Sequence, residues 1–171
     1  MQRIWAEQAL LADGWQRDVA VDVDASGRIA SVWPGAAPEG RQRTGILLPA
    51  PANSHSHAFQ RAMAGLTERR GSQPQDSFWT WRQLMYAFLD RITPDQVQAI
   101  AALVQMEMLE AGFAANVEFH YLHHQSGGTP HDDLAEMSGR IVAAAAETGL
   151  GLTLLPVLYQ RGGCDGRALG P

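Results

Sequence analysis

The 171-residue chain has a single cysteine, Cys164, so it cannot form an internal disulfide, and a reducing cytoplasm is the expected compartment. It has no basic excess. The net charge is −5, with 13 Lys and Arg against 18 Asp and Glu, and no basic patch stands out, which argues against nucleic acid or an anionic membrane as partner. It has no long uncharged apolar run: the richest stretch, "RIVAAAAETGLGLTLLPVLY", is broken by Arg140, Glu147 and glycines and does not read as a membrane span. The N-terminus "MQRIWAEQALLADGW" carries Glu7 and Asp13 and has no h-region, so no signal peptide is expected. No Walker loop, GxGxxG, CxxC or Ser-His-Asp arrangement is present.

What remains is an ordinary globular composition, 46% apolar and 18% charged, in a chain long enough for one domain with a real core. Residues 1–45 read as short strands. "VAVDVDASGRIASVWPG" alternates apolar and polar residues around "DASG", a hairpin signature with Gly27 at positive φ. "GILLPA", residues 45–50, reads as a strand buried on both faces. Helical periodicity follows in "SFWTWRQLMYAFLDRI". In "TPDQVQAIAALVQMEMLEAG", Thr93 is an N-cap, Pro94 the first helical residue, Gln96 the partner in a capping box and Gly112 the C′ glycine. "AANVEFHYLH" is a strand, "DLAEMSGRIVAAAAETG" a helix ended by Gly149, and "LGLTLLPVLY" another strand. Alternation of this kind implies an α/β fold with a parallel sheet. A full (β/α)8 barrel takes roughly 250 residues, so about half of one is expected, or else a small open α/β protein.

Three constellations carry possible chemistry. In "NSHSHAFQ", His55 and His57 stand two positions apart. In extended backbone such residues point the same way and can converge on one ion, and neutral imidazole is a common ligand for zinc and its neighbours. The same spacing also fits a polar turn. In "EFHYLHH", Glu118 and His120 share one strand face and Tyr121 the other. That segment is either a pocket wall with further ligands or an ordinary strand end, with His123 and His124 more simply loop residues. In "LTERRGSQPQDSFWTWR", Arg69, Arg70, Trp79 and Trp81 suggest a lid, and Arg82 could grip a carboxylate bidentately; the alternative is a solvated loop beside a helix face.

Taken together, "LPAPANSHSHAFQRAMAGLTERRGS", "DSFWTWRQLMYAFLDRITPDQ", "EMLEAGFAANVEFHYLHH" and "GLTLLPVLY" resemble, in order and spacing, the formimidoylglutamate deiminases of the amidohydrolase superfamily. The resemblance covers nearly the whole chain. It implies the N-terminal portion of an amidohydrolase-type (β/α)8 barrel, residues 46–171, preceded by a small β segment, residues 1–45, that forms part of a β-sandwich. It implies one zinc ion held by His55 and His57, with a histidine and an aspartate from later strands. It implies hydrolysis of N-formimino-L-glutamate to N-formyl-L-glutamate and ammonia, a step in histidine breakdown. Gln60, Arg82 and Tyr121 match positions expected to touch this dicarboxylate substrate. The full-length form is expected to be a cytoplasmic homodimer.

This sequence departs from the family pattern in places. "PAPANSHSH" stands where a string like "PGMPNLHSH" is typical, changing Ala50 and Ser54 and disturbing the turn before the pair. Asn116 falls at an interior strand position, where an unpartnered amide would cost about 1–3 kcal/mol. After "LPVLY" the family continues for more than half its length, whereas this chain has "QRGGCDGRALGP". No histidine follows His131, so the later ligands and the acid/base residues are not expected within it, and the chain alone is expected to be inactive. Two rival readings stand beside this one. One is another amidohydrolase deaminase using the same pair. The other is a non-catalytic α/β module that binds through an exposed sheet edge.

Overall fold

The computed structural model describes residues 2–68 and 77–168. The "lid" arginines, Arg69 and Arg70, lie outside the described residues. The chain forms two compact units that divide between Ala50 and Pro51.

The first unit is a four-stranded sheet of β1 (Gln2–Leu11), β2 (Gly14–Val23), β3 (Ile29–Trp33) and β4 (Gln42–Leu47), in the order β3-β2-β1-β4. β1 and β2 pair antiparallel, and β1 pairs parallel with β4. The β2–β3 turn forms because Asp24 Oδ1 accepts the backbone N–H groups of Ser26 and Arg28, and Gly27 takes a φ of 81°. Ala6, Ala9, Val19 and Val21 make a small core on one face.

The apolar run "GILLPA" belongs to this unit, which corrects its reading as a strand buried on both faces. Its first residues end β4, and Ile46 is 61% exposed. Pro49 and Pro51 explain the change of sheet: proline offers no N–H to a ladder, so a strand cannot run through the pair.

The second unit opens with β5 (Ala52–Ser56), so the histidine pair lies in and just after a strand rather than in a loop behind "GILLPA". A 3-10 segment, Ala58–Met63, leads to α1 (Phe78–Leu89) and α2 (Pro94–Glu110), then β6 (Ala115–His120), α3 (Glu136–Thr148) and β7 (Gly151–Pro156). The three strands form a parallel sheet in the order β5-β6-β7. Both capping boxes are in place, Ser77 with Thr80 and Thr93 with Gln96. Gly149 closes α3 in the left-handed conformation. Val97, Ala101 and Val104 of α2 and Met137, Ile141 and Ala144 of α3 fall at helical spacing and supply most of the core, joined by Phe59, Met63 and Met85. Among the described residues no helix is long and apolar enough to cross a membrane.

Candidate metal centre

The geometry of the pair begins with a break in the β5–β6 ladder. Asn53 stands opposite Asn116 and Ser56 opposite Glu118, so β5 spends one residue more than β6 over this interval. Such a bulge re-aims side chains. Here it leaves the imidazoles of His55 and His57 with their Nε2 atoms 3.1 Å apart. The rings stand edge to face, with centroids 4.7 Å apart.

The tautomer of His57 follows from its other nitrogen. Nδ1 lies 3.0 Å from the backbone carbonyl of Phe119. A carbonyl only accepts, so Nδ1 carries the hydrogen, and in the neutral ring Nε2 presents a lone pair. A backbone carbonyl that fixes the distal nitrogen in this way is the usual support for a metal-binding histidine. Phe119 also packs against both rings, with centroids 6.0 Å from His55 and 5.2 Å from His57.

These residues fit a divalent ion such as zinc. Two nitrogens each ~2.0–2.1 Å from a tetrahedral ion would lie ~3.3 Å apart, close to the separation observed. The pair is a partial donor set. Among the described residues no group of three His, Cys, Asp or Glu side chains is placed to hold a metal ion.

Of the other residues singled out from the sequence, His120 ends β6 and Tyr121 follows it, while Gln60 comes from the 3-10 segment and Arg82 from α1. Tyr121 lies beside the pair, its ring 5.3 Å from that of His57. Its hydroxyl and the Gln60 amide both point at the sulfur of Met85, at 3.7 and 3.9 Å. Burial pushes the Tyr121 hydroxyl above its usual range, so it is a protonated donor at neutral pH. Arg82, one helical turn before Met85, is turned toward its own helix: Nη2 donates to the Tyr86 hydroxyl at 2.9 Å, and the guanidinium lies over the rings of Tyr86 and Trp79. Thus Gln60 and Tyr121 are brought together at Met85, while Arg82 is engaged with Tyr86 and Trp79.

His120 occupies the opposite face and is 3% exposed. Burial, reinforced by the nearby His123, lowers its pKa to about 4, and its Nε2 has no partner. It is therefore a neutral, enclosed imidazole away from the histidine pair. His123 is held in place by the carbonyl of Val157, 2.8 Å from its Nε2.

Asn116 is buried but not unpartnered, which overturns the expected penalty. Its Oδ1 accepts from Asn53 Nδ2 at 3.0 Å, and its Nδ2 donates to Glu118 Oε2 at 3.1 Å. Glu118, 2% exposed, also accepts the Ala58 backbone N–H through Oε1 at 2.6 Å. The role of Glu118 was missed in the sequence. A carboxylate at an inward position of a central strand was the available signal, because such a group must be paired.

The strands, helices and paired imidazoles define an amidohydrolase-type α/β fold, the chain corresponding to the N-terminal part of such barrels. A crystal structure of an amidohydrolase from Brucella melitensis matches with a TM-score of 0.89 at 49% identity, covering 98% of this chain and 37% of that one. Atrazine chlorohydrolase TrzN from Arthrobacter aurescens TC1, solved with zinc, shares the fold at a TM-score of 0.71 and 18% identity, over 100% of this chain and 40% of its own. More particularly, the chain is similar to the formimidoylglutamate deiminases. Residues 1–45 match the family model for the N-terminal domain of formimidoylglutamate deiminase HutF. The formimidoylglutamate deiminase of Pseudomonas aeruginosa is 51% identical over 168 residues, which are 98% of this chain and 37% of that protein. The chain therefore spans little more than a third of the curated relative it matches.

Proposed function

We propose that this chain supplies the first half of a zinc-dependent formimidoylglutamate deiminase site: two metal ligands, His55 and His57, and two substrate-facing groups, Gln60 and Tyr121. The observation that carries the reading is the 3.1 Å approach of the two Nε2 atoms at the end of β5, with His57 locked by the Phe119 carbonyl. It is supported by 51% identity to the Pseudomonas aeruginosa deiminase. When bound, zinc lowers the pKa of water to near ~7 and so supplies a nucleophile for hydrolysis of the substrate's C–N bond. The protein's own groups bind and orient. Tyr121 donates a hydrogen bond from a phenol that stays protonated. Gln60 offers both a donor and an acceptor to the formimino group or a carboxylate. Arg82 reaches a substrate carboxylate only by leaving Tyr86, and a bidentate pair with an anion would favour that exchange. With two ligands, and with no third His, Cys, Asp or Glu placed beside them among the described residues, the chain binds substrate without turning it over.

The test uses the 171-residue chain with zinc and two ligands, N-formimino-L-glutamate and an aminopurine, followed by saturation-transfer NMR and an ammonia assay. Selective binding of the dicarboxylate without ammonia release is expected. Preference for the aromatic base overturns the substrate assignment. Ammonia release at the ordinary enzyme rate of roughly 1–1,000 per second shows that the site is already complete.

A further inference from the structure

We infer that Glu118, Asn116 and Asn53 form a buried clamp whose job is to hold the β5 bulge and so keep His55 and His57 aimed at one point; this inference rests on the metal reading above. The clamp lies behind the pair, on the face of the sheet that Asn53 shares with Met108 of α2. It spans the interval where the β5–β6 ladder loses register, between Asn53 and Ser56. Side chains there do the holding that ladder hydrogen bonds do elsewhere.

The hydrogen bonds have one direction. Asn53 Nδ2 donates to Asn116 Oδ1, and Asn116 Nδ2 donates to Glu118 Oε2. The other carboxylate oxygen accepts the N–H of Ala58, the residue after His57. Both oxygens of Glu118 thus act as acceptors. That arrangement sets the orientation of Asn116, which sets that of Asn53, which leaves Asn53 Oδ1 facing the backbone N–H of His55 at 3.4 Å. One end of the network thus holds the chain at His55 and the other end holds it just past His57. Glu118 is a positioning residue. With 2% exposure it lies on the buried face of β6, the face opposite Phe119, and acts on the histidine pair only through Asn116, Asn53 and the Ala58 N–H.

Glu118→Gln tests the direction of the network while keeping its size. The new amide offers one acceptor where the carboxylate offers two, so it either keeps Asn116 Nδ2 and turns its own NH2 toward the Ala58 N–H, freeing that amide to exchange, or keeps Ala58 and must donate to Asn116. If it donates, Asn116 and Asn53 must both flip, and a hydrogen-bond donor then faces His55 N–H. The full chain is titrated with zinc while the His55 and His57 ring protons, assigned by NMR, are followed. The nuclear Overhauser contact between the two rings and the hydrogen exchange of the Ala58 amide are recorded without metal. We expect Glu118→Gln to keep its circular dichroism, lose the ring-to-ring contact, exchange Ala58 at least tenfold faster, and bind zinc about 10–100-fold more weakly, the usual effect of losing support behind a ligand. If the variant does not fold, Asn53→Ala decides. It removes only the half-buried end of the chain and is expected to weaken zinc at least threefold with the same loss of ring contact. A folded variant with native ring contact, native Ala58 exchange and native zinc affinity overturns the clamp. Failure of the parent chain to bind zinc at these rings overturns the metal reading instead, and the ring contact and Ala58 exchange still judge the clamp.

Discussion

Lowering the pH should destabilise this protein through His120 before any carboxylate is involved. The ring is 3% exposed, and its pKa falls from 6.5 to about 4 because burial disfavours the charged form, with His123 adding to the effect. In the unfolded chain the ring protonates near 6.5, while in the folded chain it stays neutral until about 4. Between these values the unfolded state binds more protons, so stability falls as pH falls through the window and is level above it. The difference between pH 7 and pH 4.5 comes to about 2 kcal/mol, which is a sizeable fraction of a domain's stability. The carboxylates held below their usual range, Asp24, Glu68 and Glu107, enter only toward the acid end of this window, since their unfolded values lie at 3.8 to 4.5, and they act equally in the native chain and in a His120 variant. The assay is urea unfolding of the native chain and His120→Leu at pH 7, 5.5 and 4.5. Leucine removes the titration and the unpartnered Nε2 together. The native chain should lose about 2 kcal/mol more than the variant across the series. Parallel curves would refute the placement of His120 in the interior, because an exposed imidazole gives no such difference.

Two further outcomes follow from the packing. Ile141→Ala removes a buried side chain between α3 and its neighbours, with little freedom for the site to collapse, and should cost about 3 kcal/mol in chemical unfolding, while Ile141→Val should cost under half of that. Thr93→Ala breaks the capping box at the start of α2 by removing the Oγ1 that accepts from Gln96 N at 3.3 Å. Its expected cost is about 1 kcal/mol, read as a lower midpoint with an unchanged m-value, and Thr93→Ser should recover most of the loss.

Local chemistry made much of this fold legible in the sequence. Thr93, Pro94 and Gln96 start α2 because a hydroxyl, a missing N–H and an amide satisfy that helix end whatever packs on it. Gly149 ends α3 for an equally local reason, its φ of 81°. What failed was partner choice. "GILLPA" has the composition of a buried strand, but whether β4 joins one sheet or another depends on β1, some forty residues earlier, through a parallel register that no local pattern encodes.

The histidine pair illustrates both sides of this limit. Its i, i+2 spacing suggested convergence by simple strand alternation, yet the strand is bulged at that very place, and alternation by itself does not set a separation of 3.1 Å. The approach depends on two groups more than sixty positions away: the Phe119 carbonyl, which sets the tautomer of His57, and the Glu118 carboxylate, which holds the next backbone N–H. Both sit on β6, one through its main chain and one through its buried face. Asn116 shows why this could not be foreseen residue by residue. Alone, an amide inside a strand reads as a defect; between Asn53 and Glu118 both its side-chain polar atoms are engaged in a network that reaches the backbone at His55 and Ala58. A polar residue at an interior position is thus better read as a demand for partners than as damage. The place to look for those partners is the neighbouring strand, at the point where its ladder is broken.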